Sequence, residues 1–181
     1  AFVGNSLSIL FEIFMSDNAA GLDPRSILKE FKKNKISHLV WLPDSETNFM
    51  YQVMTSDKDL TVVPVCREAE TIAIAAGLQL GGKRTVVLVQ NTGIFESGDS
   101  IRGIALDLKL PLLLLIGYRG WVRHGITKDS AGFYTEHFLH SWGIDYYLIE
   151  SDSDAHLISH ALSSAEANSK PVAVLLGREY S

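Results

Sequence analysis

Cysteine occurs once in the chain, as Cys66, and a single thiol supports neither an internal disulfide nor a multi-cysteine zinc or iron–sulfur site. Such usage fits a reducing compartment. No apolar run approaches the ~20 residues that cross a bilayer. The one leader-like stretch, 6–14, is interrupted by Glu12 and has no basic lead-in. We therefore expect a cytoplasmic protein with no membrane anchor or secretory signal. Positive charge is in deficit too: 16 Lys and Arg stand against 21 Asp and Glu, a formal charge of -5. That balance argues against general attraction to nucleic acid or to an anionic membrane. Metal-ligand spacing is equally sparse. His156 and His160 are four apart but have no third ligand nearby, and His137 and His140 do not share that spacing, so all four read as ordinary helix residues and no metal site is expected on this chain.

What the chain has is a globular composition, 46% hydrophobic and 20% charged over 181 residues, enough for one domain with a sizeable core. Met15-Ser16-Asp17 reads as a start followed by a polar lead-in, so residues 1–21 are expected to be an extension, flexible or non-native, and 22–181 the domain. From Leu22 onward, amphipathic segments alternate with short runs rich in β-branched residues. That rhythm predicts an α/β three-layer sandwich, a mostly parallel six-stranded sheet with helices on both faces. Strands are predicted at 38–42, 61–65, 85–90, 112–117, 146–149 and 172–176. Helices are predicted at 24–34, 47–55, 69–80, 99–108, 135–142 and 154–168. Asp23 before Pro24 is an N-cap pattern, and Asp152 or Ser153 is expected to cap the last helix. The stretches 43–46 and 118–134 fall outside the pattern as loops, both after the carboxyl ends of strands, where open α/β sheets hold ligands.

The stretch from Val65 to Gly77 is the most informative, because a strand ends in Cys66-Arg67-Glu68-Ala69-Glu70 and runs into a helix of small residues. Ala69, Ala73, Ala76 and Gly77 fall on one side of that helix, a stripe that admits close approach of another helix. The same alanines would also serve simple packing on the chain's own sheet, with Glu68 and Glu70 complementing the helix dipole. Cys66 is read as a packing residue, since no Cys-His pair is apparent.

Arg67-Glu68-Ala69-Glu70 with Ala75-Ala76-Gly77 resembles the glutamate-bearing helix start of thiamine diphosphate-dependent decarboxylases, in their pyrimidine-binding domains. Val87-Leu88-Val89-Gln90-Asn91-Thr92-Gly93, Leu112 to Gly120 and Pro43-Asp44-Ser45 extend the likeness, nearest to the sulfopyruvate and phosphonopyruvate enzymes. Ile94-Phe95-Glu96-Ser97 and the Trp121 to Gly125 loop depart from the family pattern.

The resemblance implies that Glu68 hydrogen-bonds the pyrimidine N1′ of the cofactor as a proton relay, a carboxyl whose neutral form burial would favour. Glu70 is the rival acid, but the family spacing to Gly77 is that of Glu68. Asn91 and Gly93 are implied cofactor contacts, or else parts of an ordinary strand-to-helix turn. Arg119, His124, Asp44 and Ser45 are candidate contacts to a small anionic 2-oxo acid; for the basic loop residues a solvated surface role is the alternative. The chain has no Gly-Asp-Gly, the motif with which the family holds diphosphate and Mg²⁺. It is thus expected to be an alpha-type subunit that acts with a Gly-Asp-Gly-bearing, diphosphate-binding beta-type chain. The implied reaction is decarboxylation of 3-sulfopyruvate, with phosphonopyruvate as the alternative substrate and a non-catalytic assembly subunit as the alternative class.

Overall fold

Residues 21–122 and 125–178 are described by the structure, a computed structural model. The expected N-terminal extension, apart from Gly21, lies outside the described residues, as does His124. Six strands form one sheet in which every pairing is parallel: β1 (His38–Trp41), β2 (Thr61–Pro64), β3 (Thr85–Gln90), β4 (Leu113–Gly117), β7 (Tyr146–Ile149) and β8 (Val172–Leu176). Their order is β2-β1-β3-β4-β8-β7. A separate two-stranded antiparallel ribbon pairs β5 (Trp121–Val122) with β6 (Gly125–Ile126). The inner strands β3, β4 and β8 are buried almost throughout, which is why they read as continuous apolar runs rather than alternating ones.

Alternate strand residues feed two cores. Leu39, Val86, Leu88, Leu113, Leu115 and Val174 pack under α1 (Pro24–Lys33), α2 (Tyr51–Ser56) and α7 (Leu157–Asn168). Val40, Val87, Val89, Leu114, Ile116 and Leu175 pack on the opposite face, under α3 (Glu68–Leu80), α4 (Asn91–Glu96), α5 (Gly98–Ser100) and α6 (Ser130–Ser141). The three-layer sandwich expected from the sequence is the one observed.

The boundaries differ in three places. Residues 91–96 and 98, expected as a turn before a helix at 99, are already helical as α4 and the start of α5, which then widens into a π stretch, Ile101–Leu106. Half of the expected loop 118–134 is the ribbon and the first turns of α6, whose N-cap Asp129 accepts from the Ala131 amide. A capping box of Ser151 and Asp154, one or two residues before the expected cap, closes the short 3-10 turn Asp152–Asp154, and the last helix itself begins at Leu157, later than expected. Asp152 is used elsewhere: it accepts from the Asp23 amide and the Ser26 hydroxyl at the start of α1. Asp23 does cap α1, with Pro24 in its first turn.

Because the chain leaves β1 outward to β2 and returns past it to β3, the strand order reverses between β1 and β3. In open α/β sheets ligands bind beyond the carboxyl ends of the strands at that reversal.

Candidate active site

With every sheet strand parallel, the segments after β1, β2, β3, β4 and β8 all emerge at one edge, and nearly all the candidate residues sit there. The segment after β2 delivers Glu68 as the first residue of α3. Its half-buried side chain runs across Gly93 on α4, so closely that a methyl group at Gly93 would stand 2.5 Å from the Glu68 Cγ. Only a residue without Cβ fits beneath it. Among the described residues the Glu68 carboxylate makes no hydrogen bond or ion pair. Glu70, two positions on, is exposed to solvent. Cys66 is also exposed, not packed as the sequence suggested, because the edge strand β2 ends at Pro64 and the chain turns outward before α3.

Glu96, in the segment where the family likeness is weakest, reaches back to the start of α3. One oxygen accepts from the Arg67 Nε at 2.6 Å and the other from the Ala69 backbone amide at 2.9 Å. The Arg67 guanidinium beside it holds the Glu96 carboxyl below the usual carboxylate range. The N-cap residue of α3, Arg67, offers no side-chain cap of its own, so Glu96 supplies one from 27 residues away.

Asn91 is wholly buried, and its amide group is engaged inside the protein. It donates to the Arg119 carbonyl at 2.9 Å and to the Thr135 hydroxyl at 2.8 Å, and it accepts from the Thr92 amide. It therefore ties the end of β3 to the segment after β4 and to α6. Arg119 turns its Nε toward Asp129 at 2.8 Å, with its side chain about half exposed. Asp44 accepts from the Thr47 amide and hydroxyl, both at 2.8 Å, and Thr47 in turn accepts from the Trp41 indole at 2.9 Å. Burial pushes the Asp44 carboxyl above its ordinary range, against the lowering effect of those bonds. Ser45 beside it is exposed. This loop crosses to the end of β4, where a Cβ on Gly117 would meet the Glu46 Cβ at 2.7 Å.

Sequence reasoning did not single out Glu96, Thr135 or Glu136 for the site. Glu136 on α6 accepts from the Tyr118 and Tyr146 hydroxyls, at 2.8 and 2.5 Å, bracing α6 against the ends of β4 and β7. Among the described residues no three His, Cys, Asp or Glu side chains gather closely enough to hold a metal ion. No described helix is long and apolar enough to cross a membrane.

The six-stranded parallel sheet between two layers of helices is the α/β fold that thiamine diphosphate-dependent enzymes share. The same fold is seen in the benzoylformate decarboxylase of Polynucleobacter necessarius, which superposes with a TM-score of 0.67 at 18% identity over 89% of this chain and 31% of that one. No protein-family model matches the sequence. The chain belongs to the family of sulfopyruvate decarboxylase alpha subunits: it is 30% identical over 157 residues to that subunit from Methanocaldococcus jannaschii, covering 86% of this chain and 93% of the relative. The Methanococcus maripaludis alpha subunit is 27% identical over 157 residues, covering 94% of that relative.

Proposed function

We propose that this chain is the pyrimidine-binding, alpha-type subunit of a thiamine diphosphate-dependent decarboxylase that converts 3-sulfopyruvate and a proton to sulfoacetaldehyde and CO₂. The observation that carries the proposal is the Glu68 carboxyl, without a hydrogen bond or ion pair among the described residues and seated on Gly93 beside the strand reversal. The relatives' name, sulfopyruvate decarboxylase subunit alpha, supports the substrate.

The residues fit the pyrimidine end of the cofactor: an uncommitted carboxyl beside a glycine that leaves room for it. Thiamine diphosphate, when bound, supplies the carbon nucleophile and the electron sink that decarboxylation of a 2-oxo acid requires. This chain contributes orientation and a proton. With the cofactor bound, Glu68 would hydrogen-bond the pyrimidine N1′ and hold the proton shared between them. Gly93 leaves room for the Glu68 side chain to lie where it would meet the ring, and Asn91 keeps the segment after β4 in place. Arg119 keeps its outer guanidinium nitrogens for the sulfonate while its Nε is held by Asp129. Asp44 and Ser45 are the further candidate substrate contacts, with His124, outside the described residues, a candidate from the sequence alone. Mg²⁺ and the diphosphate fall to a beta-type partner carrying Gly-Asp-Gly, since this sequence has no such motif. The exposed Ala73 and Gly77 on α3 leave that helix open to close contact with the partner.

The test is turnover of sulfopyruvate and phosphonopyruvate by the co-purified assembly with Mg²⁺. Glu68→Gln should lower sulfopyruvate turnover about 10²- to 10⁴-fold at saturating thiamine diphosphate while the assembly stays intact. Unchanged turnover would remove Glu68 from the chemistry and leave a non-catalytic assembly subunit as the reading.

A further inference from the structure

The start of α3 gathers Arg67, Glu68, Glu70 and Glu96, and among the described residues Glu96 is the one carboxylate of the three that takes protein donors. Glu96 takes both the Arg67 Nε and the Ala69 amide, while Glu68, between those two residues in sequence, takes neither. A first-turn helix amide and an adjacent guanidinium ordinarily draw in a carboxylate. Arg67 already feels the charge of Glu68, after the stronger pull of Glu96 and that of Glu70. Gly93 and Glu96 are one turn apart on α4, so a single short helix both seats the Glu68 side chain and occupies its competing partners.

We infer that Glu96 is a positioning residue: by sequestering Arg67 and the Ala69 amide, it keeps the Glu68 carboxyl free to face a bound ring nitrogen. Without Glu96, Arg67 swings onto Glu68, pairs with it, and withdraws it from the cofactor. The inference rests on the assignment of Glu68 above, and it differs from a simple capping role in one respect. If Glu96 acts by restraining Arg67, deleting Arg67 repairs the loss of Glu96; if Glu96 only stabilises α3, it does not.

The experiment measures thiamine diphosphate affinity by calorimetry, with Mg²⁺, in the co-purified assembly carrying Glu96→Ala or Glu96→Ala with Arg67→Ala. The single variant should bind about tenfold more weakly, the scale of one hydrogen bond to a charged group. The double variant should return to within about threefold of the parent, and in a Glu68→Gln background Glu96→Ala should have no further effect. An unchanged single variant, or a double variant as weak as the single, overturns the inference. Thermal unfolding of each variant accompanies the titrations. Should Glu96→Ala fail to fold, Glu96→Gln replaces it, since the amide oxygen still serves Ala69 while the charge that holds Arg67 is gone. Turnover of Glu68→Gln alone tests the underlying assignment separately from this rescue.

Discussion

Gly93 is where sequence and site meet most tightly. Its place in the chain reads as a turn glycine, yet its backbone is helical and what it provides is space: the Glu68 Cγ occupies the volume a methyl would fill. Gly93→Ala should therefore displace the Glu68 side chain more than the fold, since the obstructing atoms belong to one half-buried side chain rather than to backbone. We expect turnover to fall at least about tenfold while stability changes by about 1–2 kcal/mol, the usual cost of one added methyl in a packed position. Paired activity and urea-unfolding measurements check this. A stability loss above that range with intact turnover would show that the α3–α4 contact, and not the carboxyl, is what the glycine serves.

At the level of elements, α6 is the brace of the site. Thr135 reaches Asn91, Asp129 reaches Arg119, and Glu136 accepts from Tyr118 and Tyr146. The hydrogen bond to Glu136, with burial, pushes the Tyr146 phenol up to about 12. A folded-state value raised above the unfolded one, about 10, stabilises the protein fully below pH ~10, and that contribution is lost as pH rises toward about 12. Tyr146→Phe should flatten this alkaline limb and cost about 1 kcal/mol at neutral pH; urea unfolding across that pH range measures both. All six sheet strands were legible because parallel, two-sided burial leaves unbroken β-branched runs. The helices α4 and early α6 were not. Asn91-Thr92-Gly93 and Ala131-Gly132 carry turn residues in helical positions, and tertiary contacts to Asn91, Gly93 and Thr135 override those preferences. Glu68 was singled out through the family-like spacing to Gly77, and the structure puts it at the first residue of α3. Glu96 was visible only as a departure from the family, because a cap delivered from another helix leaves no local pattern.

For the whole molecule, the decisive measurement is a pull-down with the tagged chain from its native lysate. A stoichiometric partner bearing Gly-Asp-Gly and a downstream Asn is the expected result, and its addition should confer Mg²⁺-dependent sulfopyruvate decarboxylation. Recovery of the chain with itself alone would count against a two-chain site.

The first helix is stitched to one of the last elements. Asp152 takes the Asp23 amide and Ser26 hydroxyl, Asn34 donates to Ser159 at 2.8 Å, and Ser159 donates to Glu30. These partners lie 125 to 129 residues apart. During synthesis α1 therefore leaves the ribosome long before the surface that covers it exists, and its apolar side, Ile27 and Phe31, stays open until α7 follows. Closure of this face is a late event in the life of the chain. A nascent chain halted before residue 157 would hold four of its six sheet strands paired and leave the face of α1 that α7 covers exposed, the state in which a chaperone has the most to grip.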